Sequence, residues 1–169
     1  MTAEKLLQHL PAFKNERVLV KKNQEVDHII QLILDAHERY AKYYDQIALY
    51  FDAATTEEIC SNIYSFLKDN IKYVEEGKIQ TTAVPQAILH LKKGDCKHYA
   101  SFTGGVLGAI NRLTGKRIKW RYRFVSNDPL VRTAHHVFVV VFDHGEEIWI
   151  DPVPGAEKAT PFWQIDFKV

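Results

Sequence analysis

Cysteine is scarce in this chain. Two residues, Cys60 and Cys96, occur in 169, too few for the disulfide framework of a small secreted domain and in keeping with a reduced compartment. No run approaches the roughly 20 apolar residues of a membrane span. The first ten residues, Met1 to Leu10, show no apolar stretch followed by a small-residue cleavage site. The expected location is therefore the cytoplasm, with no membrane partner. An excess of one charge is also lacking: 22 Lys and Arg against 21 Asp and Glu give a formal net charge of +1. Such a balance provides no global field toward polyanions, so nucleic acid is not expected as a partner. Internal repeats, low-complexity tracts and composition shifts are missing too. What remains is 46% hydrophobic, 12% aromatic and 25% charged, the make-up of one packed globular chain long enough to bury a core.

Two parts can be distinguished, an N-terminal segment over 1–54 and a core over 55–169. In the first, Asn23 can cap a helix that runs to about Phe51. Its apolar seam is Val26, Ile30, Ile33, His37, Tyr40, Tyr44, Ile47 and Phe51, with spacings alternating four and three. That seam either packs on its own domain or serves self-association or a partner. It carries no nucleophile, so the residues before Asn23 are expected to be dispensable for chemistry. In the second part, Thr55 and Glu58 have capping-box spacing at the head of a helix ending near Ile71, with Ile59, Ile63, Phe66 and Leu67 inward. Cys60 lies within it and reads as a structural thiol. Pro85 opens a short helical turn through Leu91.

A third helix begins near Cys96, after Gly94-Asp95, and stops at Thr114-Gly115. It contains Gly104, Gly105 and Gly108, each costing about 1 kcal/mol relative to alanine, which points to close approach of a neighbouring backbone, most simply a sheet. From Arg117 the period becomes two. Ile118 to Phe124 alternates, His136 to Phe142 is an apolar central strand, His144-Gly145-Glu146 supplies a turn, and Ile148 to Asp151 returns before Pro152 and Pro154. Helices first and an antiparallel sheet afterwards read as α+β, with N-terminal helices and the cysteine at the start of a helix packed on the sheet.

The chemistry centres on Cys96. A thiolate, not a thiol, attacks carbon, and a helix start supplies unpaired N–H groups and the positive end of the macrodipole; Lys97 and His98 add basic neighbours. The same N–H groups can donate to an oxyanion. The partner base is His135 or His136, and register decides between them. If Asp143 pairs with Glu146 across a two-residue turn, Asp151 falls opposite Phe138, on the face of His136; a three-residue loop reverses the parity and favours His135. The two-residue turn is the expected one.

Gly94-Asp95-Cys96-Lys97-His98-Tyr99-Ala100, then His136 to Val141, then Trp149-Ile150-Asp151-Pro152 resemble the three motif blocks of the transglutaminase-like superfamily over roughly Thr55 to Pro154. The resemblance implies a papain-like core with Cys96, His136 and Asp151 as catalytic triad. It also implies a side-chain oxyanion donor upstream of the cysteine, for which Gln86 is the candidate. No cofactor and no metal are implied. The substrate would be a peptide or protein, with hydrolysis by a cysteine protease or amidase, or acyl transfer to an amine. Where the family often has a Trp and an acid in its histidine block, this strand has Phe138 and Val140. The short architecture is also similar to small members among phage or prophage genes. Three rival readings remain beside the enzyme. A metal site of His90, Cys96 and His98 lacks ligand pairing. A phosphate loop at Gly108 to Lys116 has the wrong gap. A silent binding module that keeps the fold is the third.

Overall fold

The computed structural model describes residues 1–11, 17–20, 26–76, 80–126, 128, 130, 134–155, 161 and 163–169; for 17–20, 26–28 and 80 the backbone alone is described. The chain opens with α1 (Ala3–Leu7) and β1 (Arg17–Val20), followed by α2 (Val26–Tyr40) and α3 (Thr56–Asn70). Next come β2 (Lys72–Tyr73), β3 (Gln80–Ala83), α4 (Pro85–Leu91), β4 (Lys93–Gly94) and α5 (Cys96–Thr114). The last third is all strand: β5 (Lys119–Ser126), β6 (His136–Asp143), β7 (Glu146–Ile150) and β8 (Trp163–Phe167). These four form an antiparallel sheet in the order β7-β6-β5-β8. The α+β class is that expected.

The long helix expected from Asn23 to Phe51 is not one helix, and Asn23 lies outside the described residues. The α-helix stops at Tyr40, which turns out of helical geometry at φ −103°, ψ 4°, and two 3-10 turns follow at Ala41–Tyr44 and Ala48–Tyr50. Arg112 captures the chain there, its guanidinium donating to the Ala41 carbonyl at 2.9 Å and to Asp45 at 2.5 Å. The seam survives the break, because steps of three and four suit both helix types. Ile30, Ile33, Tyr40, Tyr44, Ile47 and Phe51 all enter the main core.

The residues before Asn23 are not a loose extension. Leu6 is fully buried, α1 packs on α4, and β1 pairs antiparallel with β3. The later helices follow the sequence closely. Thr55 Oγ1 accepts from the Glu58 N–H at 3.2 Å while Glu58 accepts from the Thr55 N–H at 3.1 Å, and Ile59, Ile63, Phe66 and Leu67 are buried. The third helix begins at Cys96 and is capped by Gly115. Its glycines meet aromatic side chains rather than backbone. A Cβ on Gly104 would stand 2.2 Å from the Tyr122 hydroxyl, and one on Gly105 would stand 2.3 Å from the Tyr44 ring. The helix thus sinks onto β5 on one side and onto the 3-10 segment on the other.

The β6–β7 hairpin sets the register at the site. His144 and Gly145 form its two-residue turn with φ of 47° and 91°, and Asp143 pairs with Glu146. Both turn residues are left-handed, the geometry whose twist matches the strands and which suits glycine second. Val139 pairs with Ile150, so Asp151 continues opposite Phe138.

Candidate active site

Cys96 stands at the first turn of the 19-residue α5, and Asp95 immediately before it is the cap. The Asp95 carboxylate accepts from the Lys97 N–H at 3.1 Å and the His98 N–H at 3.5 Å, and the Tyr99 N–H goes to the Asp95 carbonyl at 3.0 Å. The Asp95 N–H itself goes to His98 Nδ1 at 3.3 Å, so of the four N–H groups at the helix start, those of residues 95 to 98, three are used within the cap, and the N–H of Cys96 is the one left over.

The basic neighbours do not act as expected. Lys97 is buried, with its ammonium on the Asp95 carboxylate and 3.9 Å from Glu76, and the His98 ring nitrogen Nδ1 meets Asp95 at 2.9 Å. Glu76 in turn accepts from the Thr81 N–H at 2.5 Å. Burial works to raise the Asp95 pKa, but His98 and Lys97 override it and hold the carboxyl at about 2. Asp95 thus takes up both side chains, the Lys97 charge is neutralised there, and a cation facing the thiol has to come from elsewhere.

That cation is His136, the first residue of β6. Its Nε2 lies 2.6 Å from Asp151 Oδ2, while Asp151 Oδ1 accepts from the Val153 N–H at 3.4 Å. The Asp-Pro turn therefore orients the carboxylate instead of competing with the histidine for it. With Nε2 engaged, Nδ1 is the nitrogen left for Cys96. Burial acts to lower the His136 pKa, but the hydrogen bonds and charges of Asp151 and Cys96 outweigh it and raise it to about 10. His135 is exposed and directs its ring to Ser126, with Nδ1 3.4 Å from Oγ. Cys60 is fully within α3, and burial pushes its thiol up to about 12.

His136 and His135 both line two spaces. One, about 40 Å³, is lined by Cys96, Ile29, Phe124 and His135; the other, about 230 Å³, by Tyr73, Phe138, Trp149 and Asp151. Tyr73 carries no signal in the sequence, whereas Phe138 and Trp149 lie in the motif blocks. Phe138 lies against the His136 ring at 5.7 Å between centroids and against Trp149 at 5.0 Å. Tyr73 reaches the site through the parallel β2–β4 pair, opposite Gly94. Burial, then the charge of Cys96, holds its hydroxyl protonated well above the usual tyrosine range. Gln86, the expected oxyanion donor, is buried on α4 with its Oε1 unpartnered, and it lines neither space. Among the described residues no group of three His, Cys, Asp or Glu is placed to hold a metal, and no helix is long and apolar enough to cross a membrane.

The sequence model of the transglutaminase-like superfamily matches residues 45–152, well over half of the chain. A search of curated proteins gave no match. Among solved structures, a candidate protease from Parabacteroides distasonis is similar with a TM-score of 0.55 and 12% identity, over 90% of this chain and 32% of that one. A candidate cysteine protease from Cytophaga hutchinsonii gives 0.43 and 14%, over 78% of this chain and 39% of that one. The chain thus spans roughly a third of the length of these solved proteins. At such identity the first likeness speaks for the fold.

Proposed function

This chain belongs to the transglutaminase-like superfamily, and from that premise we propose that it is a thiol enzyme acting on amide bonds through Cys96, His136 and Asp151. The observation that carries the reading is the 2.6 Å contact of His136 Nε2 with Asp151, on a ring that also hydrogen-bonds Cys96. In this reading His136 carries its proton at neutral pH beside Cys96, whose thiolate is the attacking form. The thiolate attacks the amide carbonyl. The N–H of Cys96 donates to the oxyanion, with Gln86 as the side-chain candidate for a second donor. His136 then gives its proton to the leaving amine, and Asp151 holds the ring throughout.

The acyl-enzyme passes to water in a peptidase or amidase and to an amine in a cross-linking enzyme. The Parabacteroides distasonis neighbour is a candidate protease, which supports hydrolysis as the first reading. A mixture of short peptides incubated with the protein in ¹⁸O-water, with and without a fluorescent primary amine, separates the two by mass spectrometry. The expected result is ¹⁸O in new carboxyl termini, absent with Cys96→Ala. Turnover undiminished in Cys96→Ala would remove the proposal.

A further inference from the structure

The formal charge of +1 conceals an uneven distribution. Along β5 and the turn before it, cations recur at Lys116, Arg117, Lys119, Arg121 and Arg123. Two of them are neutralised: Lys116 is on Asp52, and Arg123 is gripped by Asp166 at 2.7 Å and Glu147 at 2.6 Å. Arg117, Lys119, Arg121 and, from the end of the β8 side, Lys168 are exposed and have no ion-pair partner among the described residues.

These four cations line one groove of about 480 Å³ at the pole of the sheet away from Cys96, floored by Trp120 and Phe142. Its carboxylate, Asp166, is already taken up by Arg123. The Arg121 guanidinium lies over the Phe142 ring at 5.5 Å, which holds its planar fork in place at the groove. A second space of about 390 Å³ adjoins it, sharing Arg117, Lys119 and Phe142, with Asp143 at its far rim near His144. Four like charges around a concave space repel one another, and a carboxylate-bearing ligand relieves that repulsion.

We propose that this groove binds an acidic polypeptide segment, through Arg117, Lys119, Arg121 and Lys168. A nucleic acid fits less well, because no aromatic face is open for a base: Trp120 is buried and Phe142 is covered by Arg121. The place of the groove gives the segment a relation to the active site. Phe142 shares a sheet face with His136, six residues along β6, or roughly 20 Å at the rise of an extended strand. On the reading of Cys96 as nucleophile, a substrate lying along that face would meet the groove about six residues from its reacting amide.

The test is direct binding to the full chain carrying Cys96→Ala, so that nothing is consumed and loss of the catalytic reading leaves the measurement intact. The probe is a fluorescent hexapeptide with four Glu residues, followed by anisotropy, against the same peptide with Gln. The Glu peptide should bind at least tenfold more tightly, and added salt should weaken it. Exposed pairs are individually weak, so Lys119→Ser, Arg121→Ser and Lys168→Ser are combined, with at least a tenfold loss expected. Lys5→Ser with Lys68→Ser should change nothing. Where the triple variant fails to fold, Lys168→Glu alone at the strand end should still weaken binding severalfold. Equal binding of the Glu and Gln peptides, or indifference to these substitutions, would overturn the inference. So would an oligonucleotide of equal charge that binds tenfold more tightly and displaces the peptide.

Discussion

At the scale of single residues, two thiols in one chain have opposite surroundings. Cys60 is enclosed by apolar side chains that push its pKa to about 12, whereas Cys96 sits half-exposed at a helix start beside a charged histidine. Cys60→Ala should keep full activity and cost about 1 kcal/mol or somewhat more of stability, and Cys96→Ala should do the reverse, as read by turnover and chemical denaturation. The proton on His136 can be followed separately. Its folded pKa of about 10 exceeds the 6.5 of an unfolded chain. The stabilisation it brings is therefore complete below about pH 6.5 and is lost as the pH rises through about 10. Histidine NMR should show His136 still protonated at pH 8, and Asp151→Asn should move its titration down by at least a unit. A titration near 6.5 in both proteins would contradict the assignment.

His135→Ala should be mild and His136→Ala should cost about a hundredfold to ten-thousandfold in rate, since a positioned base is removed. The choice between these neighbours was legible in the sequence because side chains alternate along a strand. Once His144-Gly145 is a two-residue turn, Asp151 can face only the even-numbered partners of β6. Lys97 and His98 were harder to read. Next to a cysteine they suggest a source of positive potential, yet Asp95 turns back as the helix cap and takes both. The Phe138–Trp149 contact follows from the same register, which sets Trp149 opposite Val140 and diagonal to Phe138, whereas Tyr73 was invisible because a two-residue strand carries no period.

At the scale of elements, α2 and its 3-10 continuation show what a hydrophobic seam specifies. The seam determines which side faces inward, and all its described apolar members do so; it does not determine whether the helix stays α. The α geometry ends at Tyr40, and Arg112, some seventy residues away, binds the chain just beyond it at Ala41 and Asp45. The same helix carries a second titration. His37 donates to or accepts from the Tyr122 hydroxyl at 2.9 Å, and burial, then the Arg112 charge, lowers its pKa to about 4. A buried neutral histidine resists a proton that the unfolded chain accepts at 6.5. Stability should thus fall as the pH drops from about 6.5 to about 4, and His37→Asn should flatten that limb in urea titrations. A limb unchanged by the substitution would show that His37 is not its source.

At the scale of the whole molecule, the sequence disclosed the later helices and the β5–β6–β7 order but not the small pairings between separate segments. Two-residue strands such as β2 and β4 carry no period to read, and β1 and β3 pair across sixty residues. The β1–β3 pair and the packing of α1 on α4 attach the N-terminal segment to the rest. Removing residues 1–22 should therefore lower the melting temperature, and Leu6→Ala alone should cost about 2–5 kcal/mol. A truncated chain that melts as the full one does would contradict the burial of α1.

The central claim is that Cys96 is an activated thiol whose partner is His136, and the most direct measurement is the rate of alkylation by iodoacetamide at pH 6.5, site by site, by mass spectrometry. Cys96 should react at least about a hundredfold faster than Cys60, and His136→Ala should slow it by at least about tenfold while leaving the fold intact. Equal rates at the two thiols, or a Cys96 rate indifferent to His136, would contradict the account.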